Sequence, residues 1–128
     1  MIAGQDGSKP IYVQIADWLE NEIIADTFKS DEKVYSQYQL AEMFNINPAT
    51  AAKGLNILVD QGILYKKRGL GMFVASGAKE KILSKRKSET LRSLVEELVL
   101  EAARLGISES DLITMIQASI REKGSEDK

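Results

Sequence analysis

The sequence predicts a mainly helical chain with one small β-hairpin (α+β), and three neighbouring signals carry the prediction. Ser36 followed by Gln39 forms a capping box, in which each side chain satisfies an orphan backbone donor at a helix start. Asn47-Pro48 sets an N-capping side chain before a proline at the first helical position, where the missing N–H costs nothing. Residues 63–67 and 72–75 are rich in aromatic and branched side chains, and Arg68-Gly69-Leu70-Gly71 between them supplies the glycines of a tight hairpin. Two short helices with a sharp break, then a hairpin carrying Lys66, Lys67 and Arg68, make a winged helix-turn-helix. Two further helices follow it.

Taken in order, residues 1–9 read as a flexible lead-in. Pro10 then opens a helix with Ile11, Ile15, Leu19 and Ile23 on one face and Trp18 beside them, a spacing suited to a buried stripe. Lys29-Ser30-Asp31-Glu32-Lys33 is a polar loop, and Val34-Tyr35 suits a short strand against the hairpin. The capping box opens a short helix in which Leu40, Met43 and Phe44 recur at three- and four-residue intervals. The next helix keeps Ala51, Leu55, Leu58 and Val59 on one face and stops near Gly62. Gly54 sits in mid-helix at a propensity cost of roughly 1 kcal/mol, which points to close packing against the first helix. Residues 10–77 are thus expected to form the winged domain.

After Gly77 the pattern predicts one long helix. Leu91, Leu98 and Leu105 recur every seven residues, with Leu94, Val95 and Val99 between them, which suits helix–helix packing. Gly106 stands where a C-cap is favoured. Ser108 with Asp111 opens a second helix with Leu112, Ile113, Ile116 and Ile120 as its stripe, and residues 123–128 read as a frayed tail. Residues 78–122 therefore have two uses for their apolar faces: packing back on the winged domain, or pairing with a second copy of the chain. The regular stripes favour the homodimer.

Composition excludes several functions. The chain of 128 residues contains neither histidine nor cysteine, which removes the commonest general base, the commonest nucleophile and most zinc chemistry. Gly69 and Gly71 lie inside a hairpin and not before a helix, so they are no phosphate-binding loop. Glu20, Glu22, Asp26, Glu96, Glu97 and Glu101 are expected on solvated helix faces. No enzyme, cofactor or metal site is expected. No apolar run approaches the ~18 residues that span a bilayer, and the polar N-terminus carries no secretory signal. A cytoplasmic protein without a membrane segment is expected.

A net charge of −2 looks unpromising for nucleic acid, but its distribution is polarised. Residues 61–87 hold eight cations (Lys66, Lys67, Arg68, Lys79, Lys81, Lys85, Arg86 and Lys87) against Glu80 alone, whereas residues 1–60 are net acidic. One basic face on an acidic protein is compatible with phosphate binding. The hairpin cations point to DNA; for those of residues 79–87 a solvated helix start is an equal reading. The second helix of the motif would enter a major groove, with the hairpin against flanking phosphates or the minor groove. Thr50 can hydrogen-bond a base or phosphate, Ala49 or the Thr50 methyl can meet a thymine methyl, and Lys53 is the strongest cationic contact in the helix. Asn47 either caps the helix or reads adenine.

Five motifs in unbroken order, Pro10-Ile11-Tyr12-Val13-Gln14-Ile15-Ala16, Gln39-Leu40-Ala41, Asn45-Ile46-Asn47-Pro48-Ala49-Thr50, Gln61-Gly62-Ile63-Leu64 and Arg68-Gly69-Leu70-Gly71-Met72-Phe73-Val74, resemble the GntR family of bacterial transcription regulators. The resemblance covers residues 10–76. The remainder is similar to the YtrA subfamily, whose C-terminal part is a small helical dimerisation unit. The family implies that Ser36, Gln37, Tyr38, Asn47, Ala49, Thr50, Lys53, Lys66, Lys67, Arg68 and Gly69 face double-stranded DNA. Two departures bear on base reading. Where most relatives carry a leucine-proline-serine-glutamate-arginine run, this chain has Val34-Tyr35-Ser36-Gln37-Tyr38, so a tyrosine replaces an arginine that contacts DNA in many of them. Where many carry serine-arginine-threonine-threonine and a further arginine, it has Asn47-Pro48-Ala49-Thr50 and then Ala52.

So few base contacts imply a weak half-site and a need for two copies at fixed spacing. The expected function is a homodimeric repressor of a pseudo-palindromic operator, and the resemblance implies a transporter operon as its target. The two C-terminal helices are too small for the ligand domain of larger relatives, and no residue identifies an effector. The competing reading is a winged module that binds protein or RNA. Readers of single-stranded RNA display stacking aromatics; only Tyr65 and Phe73 qualify, and in so short a hairpin one or both are expected to face the core.

Overall fold

The computed structural model describes residues 9–126, so the expected lead-in, but for Lys9, and the last two residues of the expected tail lie outside the described residues. The elements are α1 (Ile11–Ile24), α2 (Gln37–Phe44), α3 (Pro48–Asp60), β1 (Leu64–Lys67), β2 (Gly71–Val74), α4 (Ala78–Lys85), a π-helical segment (Arg86–Thr90), α5 (Leu91–Arg104) and α6 (Glu109–Glu126). They form two compact units, the first ending at Lys85 and the second beginning at Arg86.

In the first unit, α1 supplies Ile15, Leu19 and Ile23 to a core completed by Leu40 and Phe44 of α2, Ala51, Leu55 and Leu58 of α3, Ile63, Leu64 and Val74 of the hairpin, and Ile82 of α4. Each fully buried Leu or Ile contributes roughly 1.5–3 kcal/mol. The core therefore closes only when α4 is included, eight residues past the expected boundary at Gly77. Ile11, expected in the stripe, is only half-buried. An aromatic cluster seals one side: Trp18 meets Phe44 edge-on at 5.0 Å and Tyr35 at 6.0 Å, and Tyr35 meets Phe28 at 5.2 Å.

Local chemistry explains the ends of these elements. Both capping-box bonds form: the Gln39 N–H donates to Ser36 Oγ (3.1 Å) and the Ser36 N–H to Gln39 Oε1 (2.8 Å). Helix α2 stops because Asn45 turns left-handed at φ 54°, a conformation asparagine tolerates better than most residues. Strands β1 and β2 pair antiparallel, with Leu64 opposite Val74 and Tyr65 opposite Phe73. The segment before α2 adds a third, minimal strand through a bridge from Lys33 to Phe73 and a bond from the Val34 N–H to the Met72 carbonyl. Tyr35, expected in that strand, instead turns into the aromatic cluster.

Three further expectations are corrected. Glu20 is not on a solvated face: it is 3% exposed, and its Oε2 accepts from Lys85 Nζ of α4 at 2.7 Å. One strand of sequence cannot show that a lysine sixty-five positions later folds onto it. The long helix expected between Gly77 and Gly106 is interrupted at residues 86–90, where the winding loosens to π. The second unit ends α5 at Gly106 (φ 70°), where the Ile107 N–H reaches the Ala102 carbonyl at 2.9 Å, a Schellman closure. Ser108 Oγ then accepts from the Asp111 N–H to start α6, and that helix continues to Glu126, past the fraying expected from Lys123 onward.

Candidate nucleic-acid interface

The interface is built from α2, α3 and the hairpin. Asn47 caps α3, its Oδ1 accepting the Ala49 N–H at 2.8 Å. That settles the geometry of a side chain for which the sequence leaves two uses. Because the cap uses only the oxygen, Asn47→Ser, which keeps an accepting oxygen and adds no charge, should keep both stability and DNA binding, and Asn47→Ala should cost about 1 kcal/mol in urea unfolding. Loss of binding by Asn47→Ser at unchanged stability would show that the amide nitrogen reads a base.

With Ala51, Gly54, Leu55 and Leu58 turned to the core, α3 presents Ala49, Lys53 and Asn56 outward, with Thr50 and Ala52 half-buried beside them. Asn56, one turn beyond Lys53, is a face residue that the sequence reading missed, although the i, i+3 spacing marks it. Gly54 is explained: a Cβ there would lie 2.8 Å from the Tyr12 carbonyl oxygen and 3.2 Å from Ile15 Cβ, so α1 and α3 cross at backbone contact. Beside this crossing, Lys53 Nζ lies over the Tyr12 ring, 4.1 Å from its centroid. On α2, Tyr38 is 69% exposed, Gln37 is half-buried, and Ser36 Oγ is engaged in the cap.

The hairpin separates its cations. Strand alternation puts Lys66 and Lys67 on opposite faces. Tyr65 and Phe73 do not face the core, contrary to expectation; Leu64 and Val74 do. The two rings stack across the strands at 5.8 Å, and Lys67 Nζ sits over Phe73 at 4.6 Å. Tyr65 Oη donates to Asp31 Oδ1 at 2.7 Å. That hydrogen bond, then burial and the charge of Asp31, hold the phenol above its ordinary pKa. Arg68, Gly69 and Leu70 form the exposed tip; Gly69 takes φ 78° with open space where a Cβ would be. Leu70, 61% exposed, is a second residue that the sequence reading passed over.

Only part of the basic segment is left uncompensated. Lys79 pairs with Asp26 at 3.0 Å and Lys85 with Glu20, so both are spent within the fold. Lys53, Lys66, Lys67 and Arg68 make no ion pair among the described residues. Among those residues no cluster of acids is placed to hold a metal, and no helix is long and apolar enough to cross a membrane.

A capped helix with an exposed N-terminal half, beside a hairpin tipped by uncompensated cations, defines a DNA-binding protein of the winged helix-turn-helix class. Residues 11–74 match the bacterial regulatory proteins of the gntR family, and the chain belongs to that family: it is a DNA-binding transcriptional regulator. The transcriptional repressor YtrA of Bacillus subtilis (strain 168) is 27% identical over 100 residues, covering 78% of this chain and 76% of that one. A GntR family transcriptional regulator from Listeria monocytogenes superposes with a TM-score of 0.72 at 27% identity, covering 88% of this chain and 97% of that one. The DNA-binding domain of AraR in complex with operator ORE1 superposes with a TM-score of 0.51 at 31% identity, over 52% of this chain and 82% of that one. Within the family the chain is YtrA-like.

Proposed function

We propose that the protein is a homodimeric repressor that reads a pseudo-palindromic operator, one α3 to each half-site, with the hairpin tip on the adjacent backbone. The observation that carries this reading is the placement of Lys53 on the outward face of α3 and of Lys66 and Arg68 on the wing, with no acid neutralising them among the described residues. The homodimer rests on a second one. In α5, Leu91, Leu94, Val95, Leu98, Val99 and Leu105 are exposed, and in α6 so are Ile113, Ile116 and Ile120, with Leu112 half-buried. An apolar stripe of that length, uncovered in a single chain, marks an association surface. Repression is suggested by the likeness to the repressor YtrA, and a transporter operon as the target is what resemblance to the YtrA subfamily implies.

Selection from a pool of random duplex DNA at two salt concentrations tests the reading. An inverted repeat should be enriched. Lys53→Ala or Arg68→Ala should each weaken its binding and flatten the log–log salt dependence by about 0.9 for each phosphate no longer neutralised. Binding with no enriched sequence, abolished by salt, would leave only a charged winged module and bring a protein or RNA partner to the front.

A further inference from the structure

We infer that Tyr12 of α1 is a positioning residue for DNA binding: its ring holds the Lys53 ammonium at the outer face of α3, ready for a phosphate. This rests on the reading above that Lys53 meets DNA. Three observations place it. Lys53 Nζ is 4.1 Å from the Tyr12 centroid, inside the ~6 Å reach of a cation–π attraction. The crossing of α1 and α3 is set at the same residue, because Gly54 lets α3 close on the Tyr12 carbonyl to a distance that no Cβ permits; the backbone that carries the ring is therefore fixed against α3. Finally, neither Tyr12 nor Lys53 has another polar partner among the described residues.

The physical benefit is entropic. A free lysine surrenders rotamer freedom when it is fixed, and a side chain already held near its bound position loses less on association. The ring face attracts the ammonium weakly enough to leave its N–H donors for a phosphate oxygen. Arginine, which many GntR relatives carry nearby, offers a planar fork that loses less freedom per hydrogen bond formed; this chain has Ala52 in such a place and steadies Lys53 with a ring of α1 instead.

The test is a double-mutant cycle between Tyr12→Leu and Lys53→Ala, with Tyr12→Phe as the conservative control. Binding of the full chain to random-sequence duplex DNA is measured at low salt and along a salt series. Tyr12→Leu should weaken binding about two- to five-fold, Tyr12→Phe should leave it unchanged, and Tyr12→Leu should have no effect once Lys53 is alanine. In the free protein, ring current should shield the Lys53 ε-methylene protons, and Tyr12→Leu should abolish the shielding. Equal losses in both backgrounds would mean a merely structural ring. Loss in Tyr12→Phe would mean that the hydroxyl touches DNA itself, and tighter binding by Tyr12→Leu would mean that the ring withholds the lysine. Each of these, or an unshielded Lys53, overturns the inference while Lys53 stays at the DNA. An unchanged affinity and salt slope in Lys53→Ala alone would instead take Lys53 away from the DNA, and the inference with it.

Discussion

Carboxylates introduced at Leu98 and Ile116 should break the proposed homodimer into monomers and weaken binding to an inverted-repeat duplex by about a hundredfold or more. The two residues are each 40% exposed and line one groove of about 480 Å³ between α5 and α6, with Leu112, Met115 and Ile120. Apolar side chains drive association through the area they remove from water, and an unpaired carboxylate in such a contact leaves a charge that burial would strand. When two half-sites are read by linked modules, the second binds at a high effective concentration, and losing the link removes a factor of roughly 10²–10⁴. Sedimentation of Leu98→Asp/Ile116→Asp gives the mass, and titration of one-site and two-site duplexes gives the affinities. Binding to the single half-site should scarcely change. A variant that stays dimeric would place the interface elsewhere. A monomeric parent protein would discard the dimer altogether.

Lys85→Met should destabilise the protein by about 3 kcal/mol, although it touches no part of the DNA-facing surface. Removing one partner from a buried ion pair takes away a counter-charge that offsets the desolvation of the other, and Glu20 is almost wholly enclosed while Lys85 also donates to Gln61 Oε1 at 3.2 Å. The double variant Glu20→Leu/Lys85→Met should recover most of the loss, because an apolar pair of similar volume carries no desolvation cost. Urea unfolding measures both. A loss below about 1 kcal/mol in Lys85→Met would show that water or another group compensates Glu20 and that the pair behaves as a surface one.

Much of the fold is legible because its signals are local. The capping box at Ser36, the Asn47-Pro48 start, the glycines at 62, 69 and 106 and the i, i+4 stripe of α1 each act over a few residues, so they hold whatever else the chain does. The same applies to the outward placing of Lys53: once Ala51, Leu55 and Leu58 are recognised as the inner face, helical periodicity leaves Lys53 outside. The π segment at residues 86–90 has no such signature, since none of Arg86, Lys87, Ser88, Glu89 and Thr90 breaks a helix as proline would.

What escaped the sequence reading is long-range. Glu20 looks like any surface acid until α4 brings Lys85 against it. Lys79 and Lys85 look like part of a phosphate-binding run until Asp26 and Glu20 neutralise them. Tyr65 and Phe73 look like core residues until the hairpin register stacks them on the outer face under Lys67. Tyr12 carries no visible role until α1 crosses α3 at Gly54. By itself, then, the sequence determined the winged helix-turn-helix, its wing and the family, because capping, periodicity and turn chemistry are properties of neighbouring residues. Only the tertiary structure decided which charges are left over and which rings hold them, because electrostatic pairing depends on distances in space between residues that the chain keeps far apart.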